Sequence, residues 1–162
     1  MADAVMKWTE TIEIDAPPER VFEALLDQHH VMGWSAWPEA TGFVCGVEGD
    51  GRSPGSEIVF RNTNGEVQGR QRIVGVEDRR VTNQLDNKGP FGTTITPRVD
   101  FVATPLSNDR TRAALDFEAE IPLPFGVRHL VQAVMSRWAR KLHVKDLEQL
   151  KDYVESGRVT VG

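Results

Sequence analysis

The chain has 162 residues and a mass of 18.1 kDa, which is the size of one compact domain. Apolar residues make up 40% and charged residues 27%, a balance that excludes a wholly disordered or collagen-like chain. Its single cysteine, Cys45, excludes an intramolecular disulfide and a multi-cysteine zinc site. The net charge of -5 argues against general nucleic-acid binding, and no run approaches the ~18 apolar residues of a membrane span. We expect one soluble domain over residues 1–162, cytoplasmic because no signal-peptide centre is present.

The N-terminal segment predicts a strand followed by one or two short helices. Residues 8–14 alternate loosely between apolar and polar side chains, which is typical of a strand with one buried face. Residues 15–19 hold two prolines between acidic residues and suit the start of a helix that runs to about Asp27. Residues 31–37 predict a second short helix that ends at Pro38.

The middle of the chain predicts six more strands, because short alternating runs recur there at intervals of about ten residues. They cover residues 41–47, 57–61, 67–77, 81–86, 98–104 and 112–121. Asn64 and Gly65 form the strongest hairpin signal, since this pair adopts the backbone angles of a tight turn. The glycine-rich segment 49–55 reads as a loop, which we expect at the rim of any cavity that the sheet encloses.

Residues 126 to about 155 predict one long helix, or two with a bend near residues 140–145. A first apolar stripe comprises Val127, Leu130, Val131, Val134, Met135, Trp138 and Leu142. A second stripe comprises Leu147, Leu150 and Val154, on nearly the opposite face. A straight helix cannot bury both stripes on one sheet, so either it bends or one stripe packs elsewhere. Its basic residues are compatible with an anionic membrane surface or with the acidic N-terminal segment as partner.

This order of elements indicates an α+β domain in which helices pack on one side of a curved antiparallel sheet. It resembles the helix-grip fold of the START-like superfamily, also labelled SRPBCC or polyketide cyclase/dehydrase and typified by the birch-pollen allergen. Residues 14–22 (IDAPPERVF), 73–81 and 104–111 are similar to motifs of that family, over a core of about residues 7–156. The resemblance implies six or seven strands wrapped around the C-terminal helix, with one or two short helices after the first strand.

The resemblance also implies an apolar ligand cavity between sheet and helix. Strand alternation, together with the aromatic residue before Pro38, gives the inward candidates Trp37, Phe43, Ile58, Phe60, Phe101, Leu115 and Phe117. In the family the second stripe meets the sheet, and extending that face backward gives His143, Ala139, Ser136 and Ala133 as a cavity wall. Trp138, Met135 and Val131 would then point away, toward the short helices, a second copy, a membrane or a partner.

The strand at residues 67–77 leaves two interpretations open. If its valine-bearing face is inward, Arg72 enters the cavity and pairs with an acidic ligand group. Otherwise Arg70 and Arg72 form a ladder that faces solvent, with a bulge near Gly75.

The sequence contains no nucleophile elbow, phosphate loop or metal-binding motif, so we expect neither a metal nor another cofactor. His143 is the strongest single candidate for a general base or a ligand hydrogen bond.

Three functions remain open at this point. The family resemblance, the apolar inward face of the strands and the lack of a catalytic set together favour a binding or transport protein for a small hydrophobic ligand such as a lipid, a polyketide or a quinone. The alternative is an aromatase/cyclase-like enzyme that uses a shaped cavity with His143, Ser136 and an inward arginine. A third hypothesis is a docking module in which the Trp138 stripe contacts a partner, a membrane or a second copy. Monomer and homodimer are both compatible with the sequence.

Overall fold

The computed structural model describes residues 5–89, 92–121 and 125–161, with the backbone alone at residue 125. The strands are β1 (Val5–Ile14), β2 (Val44–Glu48), β3 (Glu57–Arg61), β4 (Val67–Glu77), β5 (Arg80–Lys88), β6 (Thr94–Ile95), β7 (Arg98–Ser107) and β8 (Arg110–Glu120). The helices are α1 (Pro18–Leu26), α2 (Gln28–Trp34), α3 (Trp37–Thr41) and α4 (Phe125–Glu155). None of the helices in these ranges combines the length and the apolar character needed to cross a membrane.

One antiparallel sheet runs in the order β1-β8-β7-β5-β4-β3-β2, and the short strand β6 pairs with the end of β5. The sheet and α4 together form the expected helix-grip fold. The predicted hairpin at Asn64 and Gly65 joins β3 to β4, and Gly65 has a φ of 82°, a conformation that glycine adopts without strain.

The short helices differ from the sequence prediction at Pro38. The second helix ends at Trp34, and Pro38 lies in the first turn of α3. A proline there costs no helical hydrogen bond, so Pro38 helps to begin a helix where the sequence suggested an end. As a consequence Thr41 closes α3, and β2 begins three residues later at Val44.

The long helix is one continuous element, and its C-terminal half is its anchor on the core. Leu147, Leu150 and Val154 are each no more than 2% exposed and belong to the main hydrophobic cluster. Two of its basic residues pair with acids from the N-terminal quarter of the chain. Arg140 lies 3.1 Å from Glu10, and Lys145 lies 3.1 Å from Glu39.

Some residues of the first stripe of α4 pack against the core and others are exposed to solvent. Val131 is partly buried against the core, whereas Leu130 and Val134 are 69% and 63% exposed. The expectation that Trp138, Met135 and Val131 point away from the sheet is therefore wrong for Met135 and Val131, which both pack against the core.

We expect Leu150→Ala to lower the free energy of unfolding by about 2–5 kcal/mol, because it removes a fully buried side chain and leaves a void. Leu130→Ala makes the same chemical change on an exposed face of the same helix and should cost less than about 0.5 kcal/mol. Urea unfolding of both variants measures the difference. Similar losses for the two would contradict the assignment of α4's anchor to its C-terminal half.

Candidate ligand-binding cavity

A cavity of about 360 Å³ lies between the inner face of the sheet and the helices α2, α3 and α4. Its walls are mainly aliphatic and aromatic, with a few polar side chains among them. The aromatic and large aliphatic residues that line it include Val31, Met32, Trp34, Trp37, Phe43, Ile58, Phe60, Leu85, Phe101, Leu115, Phe117, Met135, Trp138 and Leu142. The polar and titratable ones include Gln68, Gln71, Asn87, Lys88, His143 and Asp146.

Nine of the eleven predicted ligand-binding residues line this cavity. They are Trp37, Phe43, Ile58, Phe60, Phe101, Leu115, Phe117, Ala139 and His143. The strand residues among them lie on the inner face because side chains alternate strictly along a strand. Whether these residues contact a ligand remains a prediction.

Arg72 does not reach the cavity, because the other parity of β4 faces inward. Gln71 and Ile73 are buried, while the Arg72 guanidinium lies outside and donates to Glu57 at 3.0 Å and 3.2 Å. Arg70 donates to the same carboxylate at 3.0 Å, and the two guanidinium groups lower the pKa of Glu57 although burial opposes the shift. The strand register shifts between Ile73 and Gly75. The solvent-facing arginine ladder with a bulge near Gly75 is thus the arrangement found.

Ser136 and the exposed Ala133 do not line the cavity either, and Met135 and Trp138 do so instead. A helix turns by about 100° per residue, which places Met135 and Leu142 within about 60° of Ala139. The cavity face of α4 therefore lies between the two apolar stripes and takes Met135, Trp138 and Leu142 from the first of them. Ser136 lies beyond this arc on the other side.

Trp138 is 47% exposed, yet its ring packs edge-to-face on Trp37 with 5.6 Å between ring centroids. Trp37 in turn lies 6.0 Å from the ring of Phe60 on β3. This aromatic chain joins α4 to α3 and to the sheet, and it closes one side of the cavity.

His143 is held at the opposite edge of the cavity by the strands β1 and β8. The Trp8 indole donates to His143 Nδ1 at 3.0 Å, and Trp8 stacks on its cross-strand neighbour Phe117 at 4.3 Å. Burial lowers the pKa of His143 to about 4, so the ring is neutral at physiological pH. Because Nδ1 accepts a hydrogen bond, the proton of the neutral ring resides on Nε2.

Asp146 is a titratable cavity residue that the sequence analysis missed. Its carboxylate accepts from the Ala36 backbone N–H at 2.7 Å, and Ser35 is a second hydrogen-bond donor. Burial nevertheless raises the pKa of Asp146 to about 7, so the neutral acid is populated near neutral pH. The i, i+3 spacing from His143 was a usable signal, because it places both residues on one side of a helix.

Two hydrogen-bond donors on cavity-lining residues have no partner within the described part of the chain. They are the Trp37 indole N–H and the Gln71 carboxamide N–H₂, and both nitrogen atoms are buried. Gln71 is only 8% exposed and lies beside Ile58 of β3 and Leu85 of β5. Sequence reasoning missed Gln71 because the orientation of β4 was open.

The expectation that the glycine-rich loop 49–55 lies at the cavity rim is wrong, because none of its residues lines the cavity. Gly51 accepts from the Gln28 backbone N–H at 2.9 Å, and Arg52 donates to Glu23 at 3.0 Å. The loop is therefore fixed to α1 and α2.

Glu23, Asp27 and His30 form the one described group of side chains close enough to share a cation, with ligand atoms within 4.8 Å of one another. Arg52 already pairs with both of these carboxylates, and Asp27 also accepts from the His29 backbone at 2.9 Å. The guanidinium supplies the positive charge that this cluster needs, so we assign it a structural role.

An antiparallel sheet that grips a long helix around a ligand-sized cavity defines the helix-grip class of proteins. Within this class, residues 6–155 match the family described as "Polyketide cyclase / dehydrase and lipid transport". The match covers nearly the whole chain, so the protein belongs to this family, within the START-like superfamily.

Solved structures share the fold at low sequence identity. Norcoclaurine synthase from Thalictrum flavum, a point mutant in complex with a transition-state analogue, is 13% identical with a TM-score of 0.71, covering 98% of this chain and 99% of that one. A START superfamily protein from Mycobacterium smegmatis is 19% identical with a TM-score of 0.57, covering 93% and 97%. A conserved protein from Geobacillus kaustophilus is 13% identical with a TM-score of 0.66, covering 93% and 96%. No curated protein matches the sequence significantly.

The shifted pKa values of His143 and Asp146 should have opposite effects on how the free energy of unfolding depends on pH. His143 ordinarily titrates at 6.5 and here at about 4, so the unfolded chain takes up that proton first and stability falls as the pH drops from 6.5 to 4. Asp146 ordinarily titrates at 3.8 and here at about 7, so the folded chain takes up its proton first and stability rises as the pH drops from 7 to 3.8.

We therefore expect that in Asp146→Asn the loss of stability caused by His143 at low pH is no longer offset by Asp146. Between pH 6.5 and 4 the variant should lose more stability than the wild type, by on the order of a few kcal/mol. Urea unfolding at a series of pH values measures both curves. Asp152→Asn, at an exposed position of α4, is the matched control and should run parallel to the wild type. A parallel curve for Asp146→Asn as well would contradict the raised pKa.

Proposed function

We propose that this protein binds a small, predominantly apolar ligand in the cavity between its sheet and α4. The observation that carries the proposal is the cavity itself, about 360 Å³ with largely aromatic and aliphatic walls. Sites for small molecules have this character, with a few polar groups that fix the orientation of the ligand. Membership of a family described by polyketide cyclases, dehydrases and lipid transport supports the same class of ligand.

Filling part of the cavity should weaken ligand binding while leaving the fold intact. We expect Ala139→Phe to weaken the binding of N-phenyl-1-naphthylamine, a neutral dye that fluoresces in apolar surroundings, by at least about tenfold. The added ring occupies ligand space, since Ala139 lies on the cavity wall. Fluorescence titration measures the affinity, and circular dichroism checks the fold because overpacking costs about 1–3 kcal/mol.

Ala133→Phe is the matched control, because Ala133 is exposed on the same helix. It should leave the dye affinity at the wild-type value. No dye binding to the wild type, together with no bound apolar molecule in native mass spectrometry, would refute the proposed function. Equal loss of binding in the two variants would refute this cavity as the site.

A second candidate function, proton transfer on a bound ketone as in a cyclase, is favoured by Asp146. Its carboxyl group lines the cavity, and its pKa of about 7 suits a group that accepts and returns a proton near neutral pH. In such a step the Asp146 carboxylate removes a proton from the carbon beside the ketone, leaving an enolate, and the resulting acid exchanges with solvent and returns a proton to that carbon.

Deuterium uptake by 2-tetralone in D₂O tests this second candidate without a known substrate. We expect the wild type to accelerate exchange beyond the buffer rate and Asp146→Asn to lose that acceleration, because an amide cannot accept the proton. Proton NMR follows the exchanging positions, and Asp152→Asn should retain the wild-type rate. An exchange rate equal to that of buffer alone would exclude this activity and leave the binding function standing.

A further inference from the structure

We infer that the ligand of this cavity carries an uncharged oxygen acceptor, of the kind found in a ketone or quinone carbonyl, that is bound by the Gln71 carboxamide and the Trp37 indole N–H. This inference rests on the proposed function and narrows it to a class of ligand. It starts from the two buried donors that lack partners in the described residues.

The two donors flank the same strand, β3. Gln71 is the cross-strand neighbour of Ile58, and Trp37 packs on Phe60, two residues further along the same inner face. All four residues line the cavity. Both donors therefore belong to side chains that border the cavity beside β3, and we expect one ligand oxygen located there to bond to both once these side chains rotate toward it.

The neighbouring polar residue is on the same side of the cavity. Asn87 is the cross-strand partner of Gly69, and a side chain at position 69 would collide with the Asn87 carboxamide. Gly69 is thus small because Asn87 occupies the space above it. Among the strands that line the cavity, the polar side chains come from β4 and β5, whereas β7 and β8 contribute residues such as Phe101, Leu115 and Phe117.

The charges around the cavity indicate that the acceptor is neutral. Lys88 is the one described cationic side chain of the lining, and it is exposed at the end of β5. His143 is neutral, and the Asp146 carboxyl group would repel an anion whenever it is ionised. A carboxylate buried beside Gln71 would lack a cation to compensate its lost hydration, which a carbonyl oxygen does not require.

The energetics favour occupation by an acceptor. A buried donor left without a partner costs folding free energy, and a ligand oxygen that bonds to it recovers that cost on binding. An apolar ligand of the same shape fills the cavity but leaves both donors unpaired. The donors therefore select between ligands that differ only by an oxygen.

The test compares 9-fluorenone with fluorene, two rigid molecules of nearly the same shape that differ by a carbonyl group in place of CH₂. For each protein we measure the ratio of the two affinities by titration of intrinsic fluorescence. Gln71→Leu should reduce the preference for fluorenone by about tenfold, which corresponds to one buried hydrogen bond. Trp37→Phe should reduce it about threefold or more, because it removes the N–H and keeps an aromatic ring.

Fluorene binding reports that each variant still folds and retains its cavity. Gln149→Leu makes the same change on α4 outside the cavity lining and should keep the wild-type ratio. As a second measurement on the wild type alone, the infrared carbonyl stretch of bound fluorenone should lie at lower wavenumber than in an apolar solvent.

An unchanged ratio in Gln71→Leu and Trp37→Phe, or a carbonyl stretch equal to that in apolar solvent, would overturn this inference while fluorene binding upholds the proposed function. Failure of both fluorene and fluorenone to bind the wild type would overturn the inference and count against the proposed function as well.

Discussion

The structure depends on how α4 is packed along its length. Its C-terminal turns pack into the hydrophobic core, and the turns before them border the cavity. Leu150 and Val154 are fully buried, and they secure the helix to the sheet and to α1 and α2. Ala139 and His143, on the preceding turns, face a cavity. An interior filled along the whole helix would be more stable, because a cavity forfeits dispersion contacts along its lining. The buried C-terminal turns of α4 supply the packing that offsets the cost of the cavity beside the preceding turns.

The alternation of strands made the sheet side of the cavity predictable, and β4 shows where that signal ends. Phe60, Phe101 and Leu115 lie inward because a period of two leaves an apolar residue only one face to occupy. In β4 both parities hold polar residues, so hydrophobicity does not decide between Gln71 and Arg72. The deciding interaction is non-local: Glu57 on β3 pairs with Arg72 on the outer face, which turns Gln71 inward.

The helix side was less predictable for a different physical reason. Each residue of a helix points in its own direction, so the buried arc depends on what the helix meets. Trp138 borders the cavity where it packs on Trp37 of α3, and the buried Asp146 carboxylate accepts a hydrogen bond from Ala36, the residue just before α3. Both contacts require α3, whose start at Trp37 and Pro38 the sequence analysis placed as an end. Misplacing one short helix therefore hid the contribution of Trp138 and Asp146 to the cavity wall.

Burial acts on the polar groups of the cavity in one consistent direction, toward the uncharged form. It lowers the pKa of His143 and raises that of Asp146, so at mildly acidic pH both are neutral. The N–H donors of Gln71 and Trp37 are already uncharged, so a change of protonation cannot lower the cost of burying them. Within the described residues they have no hydrogen-bond partner. Burying these donors without a partner costs folding free energy, and a ligand that bonds to them recovers that free energy. The stability of the fold is therefore linked to the chemistry of the ligand.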